Sequence, residues 1–146
     1  MAIWAAGGSP AGWIIALAAA RDTTAAFAVV FSGPTVSVGR EIFYSNFFEG
    51  TATPLDSVAS RMATFSGPAG FDPLPSLAGI EIPMLWLFGQ QDRSIPARES
   101  VSILRNLPQL GSGRFRIIEY PTSGHALDDS VWPDVYAWLE GPGASR

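Results

Sequence analysis

One stretch of this chain decides its fold: Met84-Leu85-Trp86-Leu87-Phe88-Gly89-Gln90-Gln91-Asp92-Arg93-Ser94-Ile95-Pro96. Its first five residues form a continuous apolar run, which is typical of a strand buried on both faces of a parallel sheet. Gly89 then predicts a turn, and Pro96 predicts the first turn of a helix over residues 96–106. Asp92 therefore lies just past the carboxyl end of a buried strand, at the edge where open α/β sheets carry their chemistry.

The only histidine of the protein follows another strand in the same way. Residues 115–120 predict a strand, and His125 comes five residues after it, preceded by Gly124. We expect Gly124 to let this loop approach the serine at position 9 closely. Because parallel strands end at one edge of a sheet, His125 and Asp92 are expected to meet there.

A serine precedes both residues in a glycine-rich turn, Gly7-Gly8-Ser9-Pro10-Ala11-Gly12. Residues 2–5 predict a short strand before this turn. Residues 11–21 predict a helix that is apolar nearly all round, which favours burial on more than one side. Residues 25–31 predict a further strand with both faces buried. The chain order of the three candidate residues is thus serine, aspartate, histidine.

These three side chains suit nucleophilic catalysis. An alcohol is a weak nucleophile at neutral pH and needs an adjacent base, and His125 has the only side chain here with a suitable ordinary pKa. A carboxylate at Asp92 would hold the imidazole in the required tautomer. We therefore predict that Ser9, Asp92 and His125 form a catalytic triad.

Each of these residues also has a simpler interpretation. His125 could be packed or merely exposed, and Asp92 could cap the helix at Pro96 or pair with Arg93. The turn around Ser9 could instead hold a phosphate at a helix N-terminus, although no full nucleotide-binding motif is present. Two other acids, Asp128 and Asp129, follow His125 too closely in sequence to reach its ring from the opposite side.

The order and spacing of these motifs resemble those of α/β-hydrolase superfamily serine hydrolases related to dienelactone hydrolases and prolyl-oligopeptidase-type peptidases. The resemblance is carried by residues 4–21, Val29-Val30-Phe31-Ser32-Gly33-Pro34, residues 83–104 and Gly124-His125-Ala126-Leu127. It implies an α/β class and a partial α/β-hydrolase fold, with a mostly parallel sheet of three to four strands and helices on both faces. Residues 1–146 would form the carboxyl-terminal half of such a domain.

The resemblance also implies a reaction. A carboxylic ester, or a peptide, would be cleaved through an acyl-enzyme on Ser9 without a metal or an organic cofactor. Residues 35–76 match nothing in these families and correspond to a variable cap-like segment. Helical patterns with clustered aromatics lie inside it, and a helix that packs these aromatics on the sheet is the alternative interpretation.

Pro10 conflicts with this reaction in two ways. In the family the residue after the nucleophile donates its N–H to the oxyanion, and proline has none. Proline also favours an extended conformation of the preceding residue, whereas the serine of such a turn needs a positive φ. The alternative is therefore a catalytically inactive truncated α/β-hydrolase remnant that self-associates, as a homo-oligomer, through an exposed sheet edge.

The composition of the chain argues against several kinds of binding partner. The net charge is −4 and basic residues form no run, which argues against nucleic acid. With no cysteine and one histidine, the chain offers no thiolate or histidine cluster for a metal. The longest apolar stretch, residues 12–31, is interrupted by Arg21-Asp22, and no signal peptide precedes it, so we expect a soluble, cytoplasmic protein with no membrane partner.

Overall fold

The computed structural model describes residues 3–141 of the chain, and its centre is a four-stranded parallel sheet. The strands lie side by side in sequence order, and each pairs in parallel with the next. Their bounds are β1 Ile3–Gly8, β2 Ala25–Phe31, β3 Met84–Gly89 and β4 Phe115–Tyr120. The predicted α/β architecture with a parallel sheet is confirmed.

Helices fill the connections between the strands, and one more helix follows β4. They are α1 Ala11–Arg21, α2 Val38–Phe48, α3 Val58–Met62, α4 Leu74–Ala78, α5 Ala97–Arg105, α6 Pro108–Gly111 and α7 Trp132–Glu140. Single 3₁₀ turns at Leu55–Ser57 and Asp129–Val131 precede α3 and α7. Among residues 3–141, no helix combines the length and the apolar character that a membrane crossing requires.

Alternate side chains of each strand point to opposite faces of the sheet, and helices cover both of these faces. Every residue of β3 is buried. Met84, Trp86 and Phe88 join one apolar cluster with side chains of α1 and α5, whereas Leu85 and Leu87 join another with α7. Burial of each large apolar side chain contributes about 1.5–3 kcal/mol, so β3 is the most strongly held strand and a firm base for the loop that follows it.

Helix α1 has the predicted bounds and part of the predicted burial. Its buried residues Gly12, Ile15, Ala16 and Ala19 follow a single helical stripe, and Ile14 is 67% exposed. Burial on more than one side holds in part, since α1 packs on the sheet and against α4, but the side that carries Ile14 faces solvent.

The aromatic side chains of residues 36–66 pack mainly on one another. Tyr44 and Phe48 are buried with Met62 in a cluster separate from the two that cover the sheet. The rings of Phe43 and Phe47 are 5.0 Å apart, and those of Tyr44 and Phe48 are 4.7 Å apart. The interpretation of these aromatics as packed on the sheet is therefore wrong, because they form a small core of their own.

Some boundaries differ from the sequence prediction. The first strand runs to Gly8, past the predicted end at residue 5, and residue 2 lies outside the described residues. Helices α4 and α6 were not expected, since each is five residues or shorter and has proline in its first turn. Such short elements leave no periodic pattern in the sequence.

Candidate active site

Ser9 lies in a tight turn between β1 and α1. Its φ is +52°, and its N–H donates to the carbonyl of Phe31 at 3.1 Å. Its carbonyl accepts the N–H of Gly12 at 2.9 Å, which leads the chain directly into the helix. The expectation that Pro10 would keep Ser9 out of this conformation is wrong: the bias from proline is modest, and these two hydrogen bonds outweigh it.

The turn depends on small residues at its base. A Cβ added to Gly7 would lie 2.6 Å from the Cβ of Ala11, nearer than side chains can approach. Pro10 itself is in the right-handed helical region, with φ −59° and ψ −18°. The strand, the strained serine and the helix together have the geometry of a nucleophile elbow.

Asp92 is buried in the loop after β3, with 2% of its surface exposed. Its Oδ1 accepts the backbone N–H groups of Ser94 at 2.8 Å and Ile95 at 2.9 Å. Its Oδ2 lies 2.9 Å from Nδ1 of His125. The carboxylate thus fixes the turn that leads to α5 and binds the imidazole at the same time.

The simpler interpretations of Asp92 are only partly right. One oxygen does bind amides ahead of α5, as a capping residue would, but the other is committed to His125. The guanidinium of Arg93 does not pair with Asp92; it donates to the carbonyls of Thr51 and Thr53. A hydrogen bond from Nδ1 to an ionised carboxylate requires the proton on Nδ1, because such a carboxylate only accepts, and residues 3–141 give Nε2 no hydrogen-bond partner.

His125 is neither buried in the core nor free in solvent, since its side chain is 31% exposed. The hydrogen bond to Asp92 raises the pKa of His125 above its ordinary value, and partial burial opposes this rise. The negative charges of Asp92, Glu49 and Glu41 raise it further. His125 is therefore a half-buried residue that is paired with a carboxylate.

The loops that carry this pair touch through their backbones. A Cβ added to Gly89 would lie 2.2 Å from the carbonyl oxygen of Gly124 and 2.4 Å from that of Ser123. At Gly124, by contrast, the nearest atom to an added Cβ is 3.9 Å away. An added Cβ at Gly124 meets no atom of Ser9 within 4 Å, so the expected close approach of Gly124 to the serine is wrong, and the glycine that allows a close approach of loops is Gly89.

Two hydroxyl groups that the sequence did not single out also touch the site. Ser32 Oγ donates to the carbonyl of His125 at 2.8 Å, and Tyr44 Oη donates to the carbonyl of Asp92 at 2.7 Å. Both residues are 2% exposed. Ser32 ends a strand in the sequence and Tyr44 belongs to an aromatic cluster, but neither pattern indicates a partner more than 45 residues away.

Ser9 lies at the same edge of the sheet as Asp92 and His125, where a hydrogen bond to β2 holds its main chain. Its N–H binds Phe31, and the next residue, Ser32, binds the main chain of His125. Within residues 3–141 the structure gives no hydrogen bond from the Ser9 hydroxyl to the imidazole. The structure therefore joins Asp92 to His125 and places the turn of Ser9 at the carboxyl end of β1, which is separated from β3 by β2.

Asp128 and Asp129, the two acids that follow His125 in the sequence, do not bind its imidazole. The Asp128 side chain accepts the N–H of Ser130 at 2.9 Å and caps the 3₁₀ turn there, and Asp129 is exposed. Within the part of the chain that the structure describes, no three His, Cys, Asp or Glu side chains are grouped to hold a metal ion.

Solved structures share this arrangement of strands and helices. A structure titled "Putative Dienelactone Hydrolase" from Klebsiella pneumoniae matches 93% of this chain with a TM-score of 0.61 at 20% identity. Pyrococcus horikoshii acylaminoacyl peptidase matches 99% with a TM-score of 0.69 at 13% identity, and a Pyrococcus furiosus esterase matches 92% with a TM-score of 0.62 at 15% identity. The fold is that of the α/β hydrolases. This chain corresponds to 50%, 24% and 49% of those three structures, respectively, so it represents part of the α/β-hydrolase fold.

Sequence comparison points to the same proteins over a shorter span. The Escherichia coli K12 protein named "Putative carboxymethylenebutenolidase" is 35% identical over 65 residues, which are 44% of this chain and 24% of that protein. A Salmonella typhimurium protein of the same name is 33% identical over 64 residues. No protein-family model matches the chain. The match thus spans about a quarter of the curated relatives, while the α/β-hydrolase fold extends over nearly the whole of this chain.

Proposed function

We propose that this chain is a serine hydrolase that cleaves a carboxylic ester, or a peptide bond, through an acyl-enzyme. Ser9 is the nucleophile, His125 the general base and acid, and Asp92 the residue that orients the imidazole. The observation that carries the proposal is the 2.9 Å hydrogen bond between Asp92 Oδ2 and His125 Nδ1 at the strand edge that also bears the Ser9 elbow.

The role of His125 in the reaction depends on which of its two ring nitrogens carries the proton. With its proton on Nδ1, His125 presents the lone pair of Nε2 as a base. Ser9 Oγ attacks the substrate carbonyl carbon while its proton passes to Nε2, and the imidazolium that forms is stabilised by Asp92. The C–O or C–N bond to the leaving group then breaks, and the leaving group takes the proton from Nε2.

The second half of the reaction repeats these roles with water. His125 Nε2 removes a proton from water, whose oxygen attacks the acyl carbon on Ser9. The ester bond to Oγ breaks, the proton returns to Oγ, and a carboxylic acid leaves. No redox step occurs, and the proposal calls for no metal or organic cofactor.

Pro10 limits the rate that this mechanism can reach. An oxyanion forms on the substrate carbonyl in both halves of the reaction, and residue 10 has no N–H to donate to it. Loss of one such donor costs a factor of about 10² to 10³ in rate. We therefore expect slow turnover, with the acid–base pair intact.

The segment of residues 35–76 is proposed to act as a cap. It contributes Tyr44 to the hydrogen bonds around Asp92, and it brings the charges of Glu41 and Glu49 close enough to act on His125. A cap in this position would select the acyl or alcohol group of the substrate.

Turnover of short-chain nitrophenyl esters tests the proposal. Ser9→Ala and His125→Gln should each abolish turnover, and Asp92→Asn should reduce it by about 10⁴-fold, whereas Ser112→Ala should leave it unchanged. Ser112 is an exposed serine just ahead of β4, at the opposite edge of the sheet. Turnover that survives Ser9→Ala in folded protein would refute the assignment.

A further inference from the structure

Ser32 follows the last residue of β2 directly and combines burial with an unusual backbone conformation. It is 2% exposed, and its φ of +46° lies in the left-handed region that residues with a side chain seldom adopt. Its N–H donates to the carbonyl of Leu87 at 2.8 Å, which continues the pairing of β2 with β3. Its Oγ donates to the carbonyl of His125 at 2.8 Å, across 93 residues of sequence.

Tyr44 reaches the other member of the pair from the cap segment. It lies on α2, is 2% exposed, and donates from Oη to the carbonyl of Asp92 at 2.7 Å. Burial raises the pKa of Tyr44 to about 12, so the hydroxyl stays protonated and remains a donor through the neutral and moderately alkaline range. Neither Tyr44 nor Ser32 makes a hydrogen bond to the carboxylate or the imidazole of the pair.

We propose that Ser32 and Tyr44 are positioning residues, whose buried hydroxyls fix the main chain of His125 and of Asp92 so that the carboxylate and the imidazole meet in a productive geometry. This inference rests on the proposed function only for its effect on turnover. The geometric part concerns the Asp92–His125 hydrogen bond, which exists irrespective of any reaction.

The physical reason lies in how the two loops are held. Each catalytic side chain projects from a loop that follows a strand, and a loop has fewer hydrogen bonds to fix it than the strand itself. A displacement of about 1 Å between acid and base is enough to cost on the order of 10²-fold in rate. One buried hydroxyl per loop, each from a different element, restrains the pair from two sides.

The single histidine of the chain makes the test direct, since its imidazole resonances need no assignment among several. The variants are Ser32→Ala, Ser32→Gly and Tyr44→Phe. The matched control is Thr35→Val, because Thr35 is also a buried hydroxyl that donates to a carbonyl, that of Ser100 at 3.0 Å. Nitrogen-15 shifts report the tautomer of His125, and their pH titration reports its pKa.

We expect each Ser32 variant and Tyr44→Phe to lower the pKa of His125 towards its ordinary value and to mix the two neutral tautomers. Thr35→Val should change neither. Ser32→Gly separates the two features of this residue, since glycine accepts a positive φ but lacks the hydroxyl. Equal effects of Ser32→Gly and Ser32→Ala assign the effect to the lost hydroxyl, whereas a normal tautomer in Ser32→Gly would refute the role of Oγ.

The charges around His125 require one further comparison. Glu41 and Glu49 act on it from the segment that carries Tyr44, and Asp92 acts from the loop after β3. Tyr44→Phe could shift α2 and these charges together, which would change the pKa without loosening the pair. Tautomer mixing distinguishes the two cases, and a pKa change with a pure Nδ1–H tautomer would refute the role of Tyr44.

Kinetics give the second readout. If the proposed hydrolysis occurs, each positioning variant should lower kcat about 10-fold to 10²-fold with KM nearly unchanged, because the loss falls on the chemical step. If neither the wild type nor any variant hydrolyses the ester, the proposed function fails. The spectroscopic result still decides whether Ser32 and Tyr44 position the Asp92–His125 pair. Unchanged tautomer and pKa in folded Ser32→Ala and Ser32→Gly would overturn it for Ser32.

Discussion

Gly89→Ala should pull the loops of Asp92 and His125 apart. The new Cβ would be placed 2.2 Å from the carbonyl oxygen of Gly124 and 2.4 Å from that of Ser123. Both neighbours are backbone atoms, so neither can rotate away as a side chain would. In a close-packed interior the loop of His125 would have to retreat by about 1 Å to relieve the contact.

This displacement of the His125 loop should change both the free energy of unfolding and the rate of ester turnover. Overpacking of this kind costs about 1–3 kcal/mol in the free energy of unfolding. The separation of Asp92 from His125 should also lower ester turnover on the order of 10²-fold. Urea unfolding measures the first quantity, and nitrophenyl ester kinetics measure the second.

Gly111→Ala is the matched control. It makes the same substitution at the end of α6, where an added Cβ meets nothing within 4 Å. We expect a change within about 0.5 kcal/mol in the free energy of unfolding and no change in turnover. Equal behaviour of Gly89→Ala and Gly111→Ala would refute the close approach of the two loops.

Three further predictions concern the acid, the base and the oxyanion. Asp92→Asn should lower the pKa of His125 and reduce turnover by about 10⁴-fold, as measured by histidine titration and ester kinetics; an unchanged pKa would contradict the pairing. Because the pKa of His125 is raised in the folded protein, its contribution to stability should be present in full below the unfolded pKa and lost as pH rises through the folded value. Urea unfolding from below the unfolded pKa to above the folded pKa should show this loss of stability in the wild type and a smaller loss in Asp92→Asn. Parallel profiles of stability against pH for the two proteins would contradict the prediction. Pro10→Ala restores an N–H at a residue whose φ of −59° suits alanine, so kcat should rise by up to about 10² to 10³-fold, and a rate that stays flat would exclude this position as an oxyanion donor.

The sequence predicted the elements whose signal is local. The bounds of α1, β2 and β4 agree with the predicted ranges, and β3 differs by one residue, because an uninterrupted apolar run between turn residues is strong evidence for a buried element. The pairing of Asp92 with His125 was also accessible from the sequence. Parallel strands end at one edge, so two loops after adjacent strands had to be neighbours.

The contacts that support the site could not be predicted in the same way. The hydrogen bonds of Ser32 and Tyr44 span 93 and 48 residues, and each depends on the position of a whole element. The importance of Gly89 rather than Gly124 likewise appears only when the two loops are placed side by side. Even the φ of Ser9 went against the local preference set by Pro10, and one of the two hydrogen bonds that hold Ser9 in this conformation is made to Phe31, 22 residues away in the sequence.

Labelling by a fluorophosphonate tests the central claim most directly. The reagent forms a covalent bond only with an activated serine hydroxyl, and peptide mapping by mass spectrometry then identifies the residue. We expect modification of Ser9, its loss in Ser9→Ala, and its strong reduction in Asp92→Asn. Folded wild-type protein that stays unlabelled, or that is labelled at another serine, would contradict it.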